Sequence, residues 1–350
     1  MDKIQAIISK LESTHKLSLE EYEALINAYT PELADILAEK AIIARSKIYG
    51  NNIYIRGLIE ISNICKNNCL YCGIRCENKN IERYRLNESE ILACCDEGYE
   101  LGFRTFVLQG GENPYFSDDV LCNIIRKIKQ KYSDYAVTIS LGERTYESYK
   151  KIYDAGADRY LLRHETADSE HYSKLHPENM AFEHRMECLS NLKAIGFQTG
   201  CGFMVGSPYQ TAKNLAKDLK FIENFKPEMC GIGPFIPHKE SPFKDFKAGS
   251  FELTLYLLSI IRLIQPNILL PATTALGSIN NKGKELGILA GANVIMPNLS
   301  PKNQRKKYEL YNNKIYSGEE SAENLSALKN TMKQINFEIV VDRGDIKERR

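Results

Sequence analysis

The chain has almost no excess charge of either sign: 46 Lys and Arg stand against 45 Asp and Glu in 350 residues. Without a basic surplus there is no electrostatic footprint for nucleic acid, which is not expected as a partner. No apolar run reaches the length needed to cross a bilayer, so no membrane partner is expected either. The start, Met1-Asp2-Lys3-Ile4-Gln5, lacks the basic residues and apolar segment of a secretory signal. No stretch is rich enough in Pro, Gly or Ser to serve as a linker, and no segment repeats. What the chain does have is 10 Cys. Three of them fall in one metal-type run, which argues for a reducing compartment rather than a disulfide framework. A cytoplasmic protein is expected.

That run is Cys65-Lys66-Asn67-Asn68-Cys69-Leu70-Tyr71-Cys72. Short spacings let several thiolates converge on one metal centre from a single loop. Three thiolates on a cubane of four irons would leave one iron open to a small molecule. Buried apolar thiols are the plainer alternative, but Lys66, Asn67 and Asn68 suit an exposed loop. Zinc is the stronger rival, because Cys76 follows and offers a fourth ligand. Structural zinc usually takes two thiol pairs separated by a longer spacer, which is missing here.

The first fifty residues read as helices. Ser18-Leu19-Glu20-Glu21 is a capping box, and Thr30-Pro31 opens a second helix with Pro at its first position. That helix should carry Leu33, Ile36, Leu37 and Ile43 on one face and stop near Gly50. Beyond it, short apolar runs alternate with helical segments. Eight strands are expected, at 53–62, 103–109, 135–141, 157–163, 197–205, 228–235, 267–272 and 292–297. Asn87 looks like the N-cap of the first intervening helix, while Gly102, Gly156 and Gly196 sit where helices end before strands. Alternation of this kind predicts parallel strands with right-handed crossovers. Eight repeats predict an α/β fold, a complete (β/α)8 TIM-type barrel, with a partly open six-strand barrel as runner-up. The expected divisions are an N-terminal helical cap over 1–52, the barrel over 53–299 and a C-terminal helical extension over 300–350, packed as one unit with the barrel. The extension ends in a charged tail, with Asp342, Arg343, Asp345, Lys347, Glu348, Arg349 and Arg350 expected in solvent.

Barrels of this class place chemistry at the C-terminal ends of their strands. Unusual polar residues fall there. The cysteine loop follows strand one, and Gln109-Gly110-Gly111-Glu112 follows strand two. Paired glycines let a backbone approach a ligand closely, and a carboxylate beside them can take an ammonium. Thr138 and Ser140 alternate on strand three and so face one side, either toward a ligand or toward a neighbouring backbone group. Strand four ends in Arg163-His164-Glu165-Thr166. Glu165 could accept from ribose hydroxyls and Arg163 could bind an anion; His164 is as readily structural as functional. Strand six carries Met229 and the small residues Gly231, Gly233 and Pro234, which would leave room near the axis. Thr273 and Thr274 form a plausible anion nest. Tyr308 and Tyr311 would share a helix face over the mouth, or simply pack.

The cysteine pattern, with Tyr71 before its last thiol, resembles the radical S-adenosylmethionine (SAM) family signature. Segments 84–86, 106–112, 140–144, 157–166, 202–206, 231–238, 271–277 and 292–299 are further similar to the HydE group of FeFe-hydrogenase maturases, over essentially the whole chain. The resemblance implies a 4Fe-4S cluster on Cys65, Cys69 and Cys72, with SAM chelated at the open iron and cleaved to a 5'-deoxyadenosyl radical. It implies SAM contacts from Tyr71, Gln109, Gly110, Gly111, Glu112, Thr138, Ser140, Glu165, Arg185, Met229 and Tyr308, with Arg185 on the SAM carboxylate. It implies substrate or anion contacts from Arg56, Arg163, Thr273, Thr274 and Tyr311. The implied role is assembly of the binuclear iron subcluster of the hydrogenase. The substrate would be a small organometallic or amino-acid-derived molecule, an iron–cysteine complex bearing CO and cyanide. A ferredoxin- or flavodoxin-type electron donor and the other maturases are the implied partners. Some members carry C-terminal cysteines for a second cluster; none follows Cys230 here, so no second cluster is expected. Cys76, Cys94, Cys95, Cys122, Cys188, Cys201 and Cys230 default to structural thiols. Biotin synthase and methylornithine synthase share most motifs and stand as alternatives. A carrier or scaffold for an iron complex is the alternative that is not an enzyme.

Overall fold

The computed structural model describes residues 2–316 and 321–348. Three helices lead in, at Asp2–Thr14, Leu19–Asn27 and Pro31–Tyr49. Ser18 and Glu21 complete their capping box, and Thr30 caps the third helix ahead of Pro31. The apolar face assigned to that third helix is wrong in part: Ile36 and Ile43 are 39% and 53% exposed. The buried row is Leu37, Ala41, Arg45 and Tyr49, spaced by four, which packs against the helix Phe251–Ile264. Arg45 disguised it. Its guanidinium lies 4.3 Å over the Phe337 ring and donates to the Gly50 carbonyl at 3.2 Å, so a cation fills a core position.

Eight parallel staves follow. The first is Asn52–Ile55 continued by Gly57–Ser62. The next five are Thr105–Gly110, Ala136–Ser140, Arg159–Leu161, Gln198–Cys201 and Met229–Cys230, paired in that order. The seventh is narrow: Leu269 bridges Met229 and Pro271 bridges Val294. The eighth, Val294–Ile295, pairs back with the first stave, and Leu58 completes the closure by bonding the Pro297 and Leu299 backbones at 2.9 and 2.7 Å. The ring is therefore complete, as the eight repeats predicted. Strands five and six are each interrupted where Gly202 and Gly231 come so close that a Cβ on Gly202 would run into the Gly231 carbonyl; pairing resumes at Met204 and Gly233. Helices between the staves begin and end where the residues say. Asn87 and Glu90 form a capping box on Glu88–Glu100, and Gly196, at φ +107°, caps Phe182–Ile195 in the left-handed region.

The charged tail is only partly solvated. Glu338–Val340 adds a parallel strand beside Asn52–Ile55, and the chain then runs beneath the barrel. Arg159, fully buried at the start of the fourth stave, donates to Asp345 at 2.5 Å and to the Arg343 carbonyl at 2.9 Å. Arg343 donates to Asp158 at 2.8 Å. A buried cation needs a partner, so the tail's charges close the floor. Asp342, Lys347 and Glu348 are exposed as expected; Arg349 and Arg350 lie outside the described residues. Asp345→Ala should leave Arg159 buried without its counter-ion and cost about 2 kcal/mol, less than for a fully buried pair because Asp345 is partly wet. A lowered urea midpoint checks this; an unchanged midpoint would show the floor is closed without that charge. Among the described residues, no helix is long and apolar enough to cross a membrane.

Candidate functional site

A cavity of about 360 Å³ opens at the C-terminal ends of the staves. The cysteine loop forms one wall, with Cys65, Cys69, Tyr71 and Cys72 all lining the space. The loop has no regular structure and is held from outside by Arg83. Its guanidinium donates to the carbonyls of Asn63, Ile74, Arg75 and Asn78 at 2.6 to 2.9 Å. This five-donor fork gathers a loop whose own carbonyls have no ladder to join. The Asn67 N–H points at Cys65 Sγ at 3.4 Å. Burial pushes all three thiols up, Cys72 to about 12. Thiolates buried in this way need a cationic centre, and the donor set fits an iron–sulfur cluster. Cys76 is half-buried and lies off the cavity. Among the described residues, no three His, Cys, Asp or Glu side chains converge as a single metal ion requires. The zinc tetrahedron is thus not preformed, whereas ligands on separate irons of a cubane need no such convergence.

Gln109, Gly110, Gly111 and Glu112 line the adjoining wall. A Cβ on Gly111 would lie 2.5 Å from the Ile64 carbonyl and 2.6 Å from Cys65 Cβ, so the glycine is what lets the second stave's end touch the cysteine loop. Glu112 Oε1 accepts from the Glu143 N–H at 2.9 Å, and Oε2 lies 3.3 Å from Lys66. Arg185 is buried with its guanidinium turned into the cavity wall. Nε donates to Glu143 at 2.5 Å and Nη1 to the Arg163 carbonyl at 2.6 Å. Glu143, which the residue patterns had not singled out, is the acid that sets the angle of this arginine.

The fourth stave delivers Arg163 and Glu165 into the same space. Glu165 takes φ +64°, held there by its N–H on the Gly202 carbonyl at 3.0 Å. A non-glycine residue in the left-handed region is strained and is held only by surrounding structure. Arg163 Nη2 and Glu165 Oε2 sit 3.2 Å apart, yet neither makes an aligned hydrogen bond, and Arg163 Nε is also unpartnered. Buried polar atoms without partners, facing a cavity, fit a polar ligand. His164 is structural. It is fully buried away from the cavity, against Phe203, Phe221 and Asp218, and burial lowers its pKa to about 3.

Ser140, Thr273, Thr274, Tyr308 and Tyr311 also line the cavity. The two tyrosines do not share a helix face: the helix Lys302–Arg305 ends first, and both lie on an irregular segment across the mouth. Tyr308 is nevertheless buried. Thr138, Arg56 and Met229 do not reach the cavity wall. They are buried beneath it, with Arg56 Nη1 2.8 Å from Met229 Sδ; Arg56 Nε and Nη2 and Thr138 Oγ1 have no partner. Residue patterns missed Glu60 and Lys314, which meet in the cavity wall. Glu60 had a legible signal, a lone acid in the apolar stave Gly57–Ser62; Lys314 had none.

Residues 59–222 match the Radical SAM superfamily. The FeFe hydrogenase maturase subunit HydE of Thermotoga maritima is 47% identical over 271 residues, 77% of each chain. The chain belongs to the HydE family of FeFe hydrogenase maturases. Like its HydE relatives it is a radical SAM enzyme, and that superfamily implies a 4Fe-4S cluster and SAM. A 3-methylornithine synthase of Methanosarcina acetivorans is more distant, 29% identical over 282 residues, 80% of this chain and 79% of that one. Among solved structures, methylornithine synthase PylB superposes with a TM-score of 0.84 at 25% identity over 95% of this chain and 97% of that one. The maturase HydG has a TM-score of 0.80 at 21% identity, over 96% and 75%, a likeness of fold alone.

Proposed function

We propose that this HydE-family chain acts in assembly of the binuclear iron subcluster of FeFe-hydrogenase, on an iron–cysteine complex bearing CO and cyanide. The observation that carries the reading is the single cavity shared by the three-cysteine loop, the Gly110-Gly111 turn and the Arg163–Glu165 ion pair, whose facing atoms make no aligned hydrogen bond. Cys65, Cys69 and Cys72 would hold the 4Fe-4S cluster. Bound there, the cluster would supply the electron that breaks the sulfonium C–S bond of SAM and releases the 5'-deoxyadenosyl radical.

The chain's own residues bind, orient and exclude water. Arg185, braced by Glu143, presents a guanidinium for the SAM carboxylate. Gln109 and the Gly110-Gly111 backbone meet the amino group, with Glu112 supporting from behind. Glu165 accepts from the ribose hydroxyls, its strained backbone keeping the carboxylate aimed inward. Tyr71 and Ser140 complete the SAM side. Arg163, Thr273, Thr274 and Tyr311 offer the charge and hydroxyls for an anionic substrate, while Tyr308 closes the mouth between the two ligands. Thr138, Arg56 and Met229 support the pocket from below. The closed ring keeps solvent from the radical. Residues 1–52, 53–299 and 300–350 work as cap, barrel and extension of one unit. The enzyme works in the cytoplasm with a ferredoxin- or flavodoxin-type donor and the other hydrogenase maturases, and with one cluster, since no Cys follows Cys230.

Anaerobic reconstitution tests the reading. About four irons per chain should bind, and reduction with SAM should release 5'-deoxyadenosine. About eight irons would contradict the single cluster, and absence of 5'-deoxyadenosine would leave a carrier of iron complexes as the better account.

A further inference from the structure

Beyond the helix Lys302–Arg305, residues 306–316 cross the barrel mouth and are fastened at each step. The Lys307 carbonyl accepts from Asn63 Nδ2 at 2.7 Å, the Leu310 carbonyl from the Gly73 N–H at 2.8 Å, and Asn312 Oδ1 from the Lys239 N–H at 2.9 Å. The first two tie the segment to Asn63 and Gly73, both buried, and the third is exposed on the rim; none of the three involves a charged group. Lys314 differs. Its side chain, 7% exposed, enters the barrel and meets Glu60, which is wholly buried on the first stave, at 2.6 Å. The second Glu60 oxygen accepts from Asn298 Nδ2 at 2.9 Å, so the carboxylate is satisfied. A buried ion pair adds little stability over apolar side chains of the same volume, because desolvation offsets the attraction. What it does add is a defined position, since among the described residues neither charge has a second ion-pair partner.

The position it defines is that of Tyr308. The Lys314 ammonium lies 5.1 Å from the Tyr308 ring centroid, and the Gln109 side chain meets the Tyr308 hydroxyl. We propose that the Glu60–Lys314 ion pair is the latch that holds residues 306–316 across the mouth and, through Tyr308, sets Gln109 against SAM. Glu60 and Lys314 are positioning residues for SAM cleavage, and no role in the chemistry is assigned to them. The inference rests on the assignment of Gln109 and Tyr308 to the SAM side of the cavity.

The test uses the reconstituted holoenzyme, with SAM and dithionite as the only reagents. Lys314→Met and Glu60→Gln should each raise the KM for SAM about ten-fold, as loss of a supporting partner commonly does. The effect on kcat for 5'-deoxyadenosine should be smaller, with the iron content unchanged. Tryptic cleavage after Lys306 and Lys307 should quicken in the same variants. A lowered melting temperature with wild-type KM and wild-type cleavage would overturn the latch, because that is the result of a pair serving stability alone. Should Lys314→Met not retain iron, the double variant E60Q/K314M is measured; it keeps the volume and removes both charges. A wild-type KM in the double variant would likewise overturn the proposal. Failure of the wild-type protein to release 5'-deoxyadenosine would sink the functional reading instead, and the tryptic comparison would still decide the latch.

Discussion

Replacing Cys69 by Ala should lower bound iron from about four per chain to nearly none, with SAM cleavage falling on the order of 10³-fold or more. The thiol lines the cavity between its two partners, and two thiolates cannot retain a cubane that three would hold. The fold should survive. The loop is gathered by Arg83 through four carbonyls, none of which belongs to Cys69. The Cys69 thiol itself touches Met180 Sδ at 3.7 Å, a contact whose loss is small beside the stability of a barrel. Iron analysis and the unfolding midpoint separate the two effects. Cys76→Ala is the control: it should keep its iron, because Cys76 lies off the cavity. Iron retained by Cys69→Ala, or lost by Cys76→Ala, would mean that the fourth thiol is the real ligand.

Arg185→Met should weaken SAM binding about 100-fold, equivalent to about 2.7 kcal/mol. It should also destabilise the fold by about 3 kcal/mol, because Glu143 would be left nearly buried without its cation. The double variant E143Q/R185M should recover part of that stability and none of the affinity, since neutralising the orphaned acid repairs the fold but not the missing guanidinium. Urea unfolding and equilibrium SAM binding measure the two quantities independently. An unchanged dissociation constant in Arg185→Met would confine this arginine to a structural role between Glu143 and the Arg163 carbonyl.

The parts of the site legible in the residues were those carried by short-range pattern. The three thiols and Gly110-Gly111 are each complete within a few positions, and each follows a strand whose apolar run marks its end. Capping at Ser18, Thr30 and Asn87 is equally local. The errors came where a polar residue took an apolar place or a charge found a distant partner. Arg45 sits in the core row of the third helix, so two of the four residues on the hydrophobic face drawn there, Ile36 and Ile43, turn toward solvent. Asp345 read as tail, yet it neutralises Arg159, 186 positions away. Tyr308 and Tyr311 have helical spacing without a helix, because the segment is stretched across the mouth by contacts with Gly73 and Lys239.

Strand number, the parallel sense of the ring and the three-thiol loop were determined by sequence alone, because spacing and periodicity are properties of neighbours along the chain; membership among SAM-cleaving barrels came from the likeness of its motifs to a known family. Which cations meet which acids was decided only in three dimensions: Arg185 on Glu143, Lys314 on Glu60, Arg159 on Asp345. Those pairs join residues 42, 254 and 186 positions apart. Buried charges must be matched wherever the closing of the ring brings them, and no local pattern records that meeting.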